Sequence, residues 1–277
     1  MTILQAFILG FFQGLTEFLP VSSSGHLVLI QNFFNLSKGM IAFDVAVHWG
    51  TLLAVLVYFF KDIARIVRDT FLFFVKLPFR RSLEKTFQEH PRALTGCFVL
   101  VSTVATGMMA LAFREVFEKM FSSLIYVGIG WFLTGVFLLL SARFQHGVRG
   151  LQEMNHQDAF VIGLSQGIAI IPGVSRSGAT ILGGMMLGLD REAAARFSFL
   201  VGIPAILGAG ILEMGNAVRM FTESPAVLVT GVLTSALVGF VSIIFLLRLV
   251  RSGKFYWFGF YCIALALFTF AYTLLRS

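Results

Sequence analysis

The chain alternates between long apolar stretches and short polar connections along nearly all of its 277 residues. About 20 mostly apolar residues cross the hydrocarbon core of a bilayer as a helix, so the pattern predicts six membrane-crossing helices. They cover residues 44–60, 93–113, 122–142, 197–215, 226–248 and 255–275. The sequence therefore predicts an all-α polytopic membrane protein.

Two further apolar regions, residues 1–36 and 159–189, are interrupted near their middle by proline, glycine and serine. The interruptions read LPVSSSGH and IPGVSRSGAT. Each half is too short to cross a bilayer alone, and a broken helix at membrane depth is tolerated only where its freed backbone lines a protein cavity. Both regions are therefore predicted to be re-entrant helical hairpins.

The two interrupted regions resemble each other. Residues 10–25 align without gaps to residues 163–178, and the segments FDVAVHWGTLLA (43–54) and FSFLVGIPAILG (197–208) align more weakly. The identical pairs are Gly10 and Gly163, Gln13 and Gln166, Gly14 and Gly167, Val21 and Val174, Ser22 and Ser175, Ser24 and Ser177, and Gly25 and Gly178. These matches indicate an internal duplication, with one repeat at about 1–142 and the other at about 159–275.

Three predicted spans separate the first hairpin from the second. An odd number of crossings means that the second copy enters the membrane from the opposite side. The predicted architecture is thus an inverted repeat, each copy a re-entrant hairpin followed by three spans. Inverted repeats of this kind place binding sites near the bilayer midplane.

Composition supports the membrane assignment, because 57% of the residues are hydrophobic and 13% are charged, whereas soluble domains carry about 25% charged residues. The net charge of +7 comes largely from basic residues in the connections, above all 61–92. Such clustering is typical of a cytoplasmic orientation signal and not of a nucleic-acid partner. It predicts that the first hairpin's mouth and both termini lie outside the cytoplasm and that the second hairpin enters from the cytoplasm.

Ionisable residues within the hairpins are the first candidates for chemistry, because such groups are costly in a membrane and usually mark a ligand or ion pathway. They are Glu17, His26 and Arg176. Arg176 has no acidic sequence neighbour, so its counter-charge is expected to be the substrate, and its planar fork of donors suits phosphate oxygens.

Each interruption also begins a helix with a serine-rich cap. Amide groups at a helix start, together with the positive end of the helix dipole, favour an anion, and glycine lets it approach closely. The anion-binding residues expected from the two caps are Ser22, Ser24, Gly25, Ser175, Ser177 and Gly178.

Glu17 has two candidate roles, since a carboxylate can hold a divalent cation (Mg²⁺ or Ca²⁺) that bridges phosphates or can act as a general base. His26 lies one helical turn from Ser22 and Ser23, which suggests an activated nucleophile. His48 and Asp44, near the start of a span, are expected to be interfacial or structural.

The runs QGLTE (13–17), SSSGH (22–26) and PGVSRSGAT (172–180) resemble the motifs of the bacterial undecaprenyl-diphosphate phosphatases, the bacitracin-resistance family. The resemblance covers essentially the whole chain. It implies an enzyme of the bacterial plasma (inner) membrane that removes one phosphate from the C55 isoprenoid diphosphate, which returns the lipid carrier to peptidoglycan synthesis. The motif positions correspond to Glu17, Ser22, Ser23, His26, Ser175, Arg176 and Thr180.

One position departs from the family pattern. Members often carry glutamate where this chain has Gln13, which weakens a metal site built from two carboxylates.

The mechanistic hypothesis is that Ser23 attacks the terminal phosphorus while His26 or Glu17 takes its proton. Arg176, the amides of the second hairpin tip and Thr180 would stabilise the charge that develops on the phosphoryl oxygens. Attack by His26 or by water remains an alternative nucleophilic step. The site is expected to open toward the periplasmic or extracellular side.

The rival function is that of a secondary transporter or flippase for a phosphate-bearing lipid or anion, since inverted repeats with broken helices also build transporters. A purely structural membrane scaffold would leave Glu17 and Arg176 without a role. The sequence leaves open whether the chain acts as a monomer or as a homodimer.

Overall fold

The structure, a computed structural model, describes residues 1–36, 40–76, 87, 89–121, 123–144 and 146–275, and for residues 217–219 it describes the backbone alone. The described chain is almost entirely helical, which confirms the predicted all-α class. The middle of the basic connection, which contains Arg80, Arg81 and Lys85, lies outside the described residues.

The first half of the described chain contains seven α-helices. They are α1 (Ile3–Phe18), α2 (Ser23–Phe33), α3 (Ile41–Tyr58), α4 (Phe60–Lys76), α5 (Ala93–Ala112), α6 (Arg114–Met120) and α7 (Leu124–Leu140). The second half contains α8 (His156–Ile168), α9 (Arg176–Met186), α10 (Arg191–Leu212), α11 (Met214–Glu223), α12 (Pro225–Arg251) and α13 (Phe258–Leu274). Short 3₁₀ segments connect some of them.

Six helical segments in the described ranges are long and apolar enough to cross a membrane. They are Ile41–Tyr58, Ala93–Ala112, Leu124–Phe144, Arg191–Leu212, Pro225–Arg251 and Lys254–Leu275. All six predicted spans are confirmed, with ends that differ by up to six residues. Three of these spans lie between the two hairpins, as the duplication argument requires.

The two predicted hairpins are the pairs α1–α2 and α8–α9. Helix α1 stops before Leu19 because Pro20 follows, and a residue before proline is disfavoured in the helical region; Leu19 is extended, with φ −63° and ψ 143°. In the second hairpin, Pro172 is followed by Gly173 at φ +89°, a value that glycine adopts without strain.

The hairpins exchange partners between the repeats. Helix α1 of the first repeat packs along α12 of the second, and α8 of the second repeat packs along α5 of the first. Both contacts use glycine: a Cβ atom at Gly10 would lie 2.6 Å from the carbonyl oxygen of Gly231, and one at Gly163 would lie 2.5 Å from that of Ser102. Glycines at equivalent positions of the duplicated sequence thus have equivalent packing roles.

This close approach gives a stability prediction. Gly163→Ala should lower the free energy of unfolding by about 1–3 kcal/mol, because the added methyl group overpacks the contact between α8 and α5. Gly107→Ala is the matched control on α5, since no atom lies within 4 Å of the Cβ position there. The measurement is thermal unfolding of both variants in detergent, and equal midpoints would contradict the close packing.

Helix α4 is absent from the predictions, which treated the region from residue 61 onward as a basic connection. Its charged residues Lys61, Arg65 and Arg68 alternate with apolar ones at helical spacing, so the segment is strongly amphipathic. No apolar run of spanning length occurs in it, so hydropathy alone does not identify this segment as a helix.

Candidate active site

The tips of the two hairpins meet inside the protein. The Ser177 hydroxyl donates to the carbonyl oxygen of Leu19 at 3.2 Å, which joins the second tip to the first. Gly25 lies directly against Gly173, and Gly178 lies against Pro20. The predicted convergence of the two interrupted helices is therefore present in the structure.

Helix α7 fixes both tips. The indole nitrogen of Trp131 donates to the carbonyl oxygen of Val21 at 2.8 Å, and the Thr134 hydroxyl donates to that of Gly173 at 3.0 Å. The same hydroxyl accepts from the backbone nitrogen of Ser175 at 3.0 Å. These bonds satisfy backbone groups that the breaks in the helices leave free, as the interior of a membrane protein requires.

The serine-rich caps have the same hydrogen bonds in both repeats. Ser22 caps α2 by accepting from the backbone nitrogen of Gly25 at 3.3 Å, and Ser175 caps α9 by accepting from that of Gly178 at 3.1 Å. In each cap the first serine hydroxyl also lies 3.2 Å from the hydroxyl two residues later. The two helix starts thus have the same capping hydrogen bonds, and both lie at the wall of the same cavity.

That cavity has a volume of about 680 Å³, a size typical of small-molecule sites. The polar residues that line it are Glu17, Ser22, Ser23, Ser24, Asp44, His48, Thr106, Glu118, Gln166, Ser175 and Arg176, with the serines and the arginine grouped around Glu17 at the hairpin tips. Its apolar wall contains Leu27, Val28, Ile41, Val45, Phe121, Ile170 and Ile206. The cavity therefore suits a ligand with one anionic end and one hydrocarbon end.

Glu17 is the centre of the polar wall. Its Oε1 accepts from Nη2 of Arg176 at 2.6 Å, and its Oε2 accepts from the Ser23 hydroxyl at 2.5 Å and from Nε2 of Gln13 at 2.9 Å. The carboxylate is buried, with 6% of the residue exposed. The expectation that Arg176 has no protein counter-charge is wrong: its partner is Glu17, which lies 159 residues earlier in the chain.

His48, expected from the sequence to be interfacial or structural, is a member of the site. Its Nε2 lies 3.5 Å from Oε2 of Glu17, and the residue lines the cavity. The weak alignment of residues 43–54 with 197–208 places Gly202 opposite it in the second repeat, and a side chain at Gly202 would collide with the Arg176 guanidinium. At this pair of aligned positions, the first repeat thus places an imidazole beside Glu17. The second repeat has a glycine, whose missing side chain leaves space for the Arg176 guanidinium.

The remaining predicted site residues divide into two groups. Ser22, Ser24 and Ser175 line the cavity beside Ser23. The others lie behind its wall and hold it in place: Gly25, Ser177 and Gly178 join the tips, and the Thr180 hydroxyl lies 2.6 Å from that of Ser198 and donates to the carbonyl oxygen of Arg176 at 2.8 Å.

His26 also lies outside the cavity wall. Its Nδ1 lies 2.7 Å from the carbonyl oxygen of Ser22, and its Nε2 lies 2.9 Å from the Tyr261 hydroxyl. The ring is nearly parallel to those of Phe12 and Tyr261, with centroids 6.3 and 5.9 Å away, and is steeply inclined to that of Trp131. The structure therefore brings Ser23, Glu17 and Arg176 together and leaves His26 on the far side of the first tip.

The side chains around Glu17 do not form a complete divalent-cation site by themselves. Mg²⁺ and Ca²⁺ take six or more oxygen ligands, which include water and substrate phosphates, and both Glu17 oxygens already accept here, from a guanidinium, a hydroxyl and an amide. Gln13 presents its amide N–H group to Glu17 instead of its oxygen. No group of three or more histidine, cysteine or acidic residues with metal-binding geometry occurs among the described residues.

The fold and the site together define a polytopic membrane protein in which two re-entrant hairpins enclose a hydroxyl-rich cavity with a buried glutamate–arginine pair. A protein-family model described as "Bacitracin resistance protein BacA" matches residues 6–268. The chain therefore belongs to the BacA family.

Curated relatives share most of their length with this chain. The "Undecaprenyl-diphosphatase" of Desulforapulum autotrophicum is 39% identical over 262 residues, 95% of each chain. The protein of the same name from Methanosphaera stadtmanae is 36% identical over 272 residues, 96% of each chain. The one from Desulfosudis oleivorans is 40% identical over 262 residues, 95% of each chain.

Proposed function

We propose that the chain is an undecaprenyl-diphosphatase, which hydrolyses undecaprenyl diphosphate to undecaprenyl phosphate and inorganic phosphate. This reaction returns the lipid carrier to cell-wall synthesis and underlies bacitracin resistance. Family membership and the names of the relatives support the activity. The observation that carries the proposal in the structure is the Ser23–Glu17–Arg176 cluster at the wall of a cavity between two helix starts.

The terminal phosphate is proposed to bind at the polar wall, between the first turns of α2 and α9. The Arg176 guanidinium has donors beyond the one used for Glu17, so it can hold phosphate oxygens while it keeps its ion pair. The prenyl chain lies along the apolar wall. A cavity of about 680 Å³ encloses the diphosphate and the first isoprene units, and the rest of the chain lies in the bilayer.

Ser23 is the proposed nucleophile and Glu17 the proposed base, because the Ser23 hydroxyl donates to Glu17 at 2.5 Å, the length of a strong charge-assisted bond. As the bond from Oγ to the terminal phosphorus forms, the bond to the bridging oxygen breaks and Glu17 takes the proton. Glu17 passes that proton to the departing lipid phosphate. It then deprotonates a water molecule that hydrolyses the phosphoserine, and the serine recovers its proton.

The ion pair explains how this transfer stabilises the transition state. Before attack the charges of Glu17 and Arg176 balance. When Glu17 takes the proton, its negative charge disappears and the positive charge of Arg176 remains, at the moment when charge spreads over the phosphoryl oxygens. The electrostatic stabilisation is therefore larger in the transition state than in the ground state, which is the condition for catalysis.

The chain is proposed to lie in the bacterial inner membrane with the cavity open to the periplasmic side, because basic residues, among them Lys61 and Arg65 of α4, cluster between the first two spans. A divalent cation (Mg²⁺ or Ca²⁺) is proposed to arrive with the diphosphate, and the phosphate oxygens, water and the Glu17 carboxylate would hold it.

Phosphate release from a prenyl diphosphate by detergent-purified protein tests the proposal. An enzyme turns over without a sealed membrane, whereas a transporter does not, so we expect release of inorganic phosphate at many equivalents per protein. Glu17→Gln should lower kcat/KM by at least about 100-fold, because it removes the base. Sustained binding of the lipid without phosphate release would overturn the proposed enzymatic activity and favour the flippase function.

A further inference from the structure

We infer that His26 and Tyr261 form a positioning pair that acts through the backbone of Ser22, so that His26 takes no part in proton transfer. The inference rests on the proposed function, since it concerns how Ser23 is presented to the diphosphate. It begins with the conformation of Ser22. This residue has φ +64° and ψ 97°, in a region that favours glycine, although it is the N-cap immediately before the proposed nucleophile.

The imidazole holds this conformation in place. A carbonyl oxygen only accepts, so the Nδ1–H group of His26 donates to Ser22 at 2.7 Å, and the Tyr261 hydroxyl donates to Nε2 at 2.9 Å. One neutral tautomer satisfies both bonds. The residue is 4% exposed, three aromatic rings lie next to the imidazole, and His26 is not among the residues that line the cavity.

The duplication supplies an internal comparison. Ser175 has the same cap bonds as Ser22, but its backbone is ordinary, with φ −78° and ψ 120°. The position equivalent to His26 in the second repeat is Ala179. The repeat with the imidazole has the strained serine, and the repeat without it has the relaxed one. The side chain after each cap serine also differs, because Ser23 in the first repeat corresponds to Arg176 in the second.

Tyr261 belongs to α13, which is remote in sequence from the first hairpin. Its ring is parallel to the imidazole, with centroids 5.9 Å apart. The next residue, Cys262, lies with its sulfur 3.7 Å from the carbonyl oxygen of Pro20. Two adjacent residues of α13 therefore contact the same turn, one through His26 and one directly, and together they set the backbone that precedes Ser23.

The decisive experiment is rescue by glycine. His26→Ala should lower kcat by about 5- to 150-fold, the range set by the cost of one strained residue, with KM little changed. In the double variant His26→Ala with Ser22→Gly, kcat should return to within about fivefold of the kcat of the Ser22→Gly single variant. Glycine adopts a positive φ without strain, so it does not need the hydrogen bond from His26. No rescue would overturn the inference, since a proton-transfer role needs the imidazole itself.

Tyr261→Phe provides a milder variant that keeps the aromatic ring and removes the hydroxyl. We expect a loss of kcat of about 3- to 10-fold in the wild-type background and none in the His26→Ala background, because the two residues act as one unit. Additive losses would contradict the pairing. The pH profile of kcat in the glycine-rescued variant should match that of the Ser22→Gly variant, and a change in its shape would assign proton transfer to His26.

Nitrogen-15 NMR of the imidazole gives a readout that does not depend on turnover. We expect a protonated Nδ1 and an unprotonated Nε2 whose shift moves in Tyr261→Phe; the opposite tautomer would overturn the inference. Inactive wild-type protein in the same assays would defeat the proposed function instead, so the two failures are distinguishable.

Discussion

Arg176→Lys is expected to lower kcat/KM for the prenyl diphosphate by about 100- to 1000-fold, the cost of losing one donor aimed at developing charge. The ammonium keeps the charge but not the fork, so it cannot hold Glu17 and the phosphate oxygens at once. The lost geometry matters most in the transition state, when Glu17 has taken the proton. The measurement is steady-state phosphate release in detergent, with the loss expected mainly in kcat.

Arg149→Lys is the matched control for this substitution. Arg149 also uses its fork, donating to Asp158 at 2.6 Å and to the carbonyl oxygen of Leu187 at 2.8 Å, but it is not among the residues that line the cavity. The Arg149→Lys substitution should reduce the unfolding temperature and leave turnover per folded molecule unchanged. Near-normal turnover of Arg176→Lys would show that a point charge suffices and would contradict the role of the fork.

Ser23→Ala is expected to lower kcat by at least about 1000-fold, as removal of a nucleophile does in other hydrolases. Binding of the lipid should persist, because Arg176 and both helix starts remain. Ser242→Ala serves as the control: Ser242 is a buried serine that donates to the carbonyl oxygen of Val238 at 2.9 Å, and it is not among the cavity-lining residues.

A rapid-quench measurement separates the nucleophile from the alternatives. With substrate labelled at the terminal phosphate, wild-type protein should retain label on Ser23 before inorganic phosphate appears, and Ser23→Ala should retain none. Label on His26, or direct release with no labelled protein in either variant, would replace the serine mechanism with the histidine or water mechanism.

The features that could be predicted from sequence are those with a local cause. Apolar runs of spanning length predicted the six spans, and Pro20, Pro172 and Gly173 predicted the two breaks. Alignment of the breaks predicted that Ser22 and Ser175 are equivalent, and both are N-caps with the same bonds. The mechanistic roles of the site residues stay predictions.

Features that depend on distant residues could not be read from sequence. The partner of Arg176 is 159 residues away, so its charge looked unpaired. His48 enters the site because α3 lies beside the first hairpin, and the duplication is weakest there. The backbone of Ser22 depends on a tyrosine in the last helix, which no local pattern indicates.

The exchange of hairpin helices between the repeats has a consequence for biosynthesis. Since α1 packs against α12, this contact of the first hairpin cannot form until more than four-fifths of the polypeptide has been made. A chain that ends before Pro225 therefore contains Glu17 and Arg176 but lacks the helix against which the first hairpin packs.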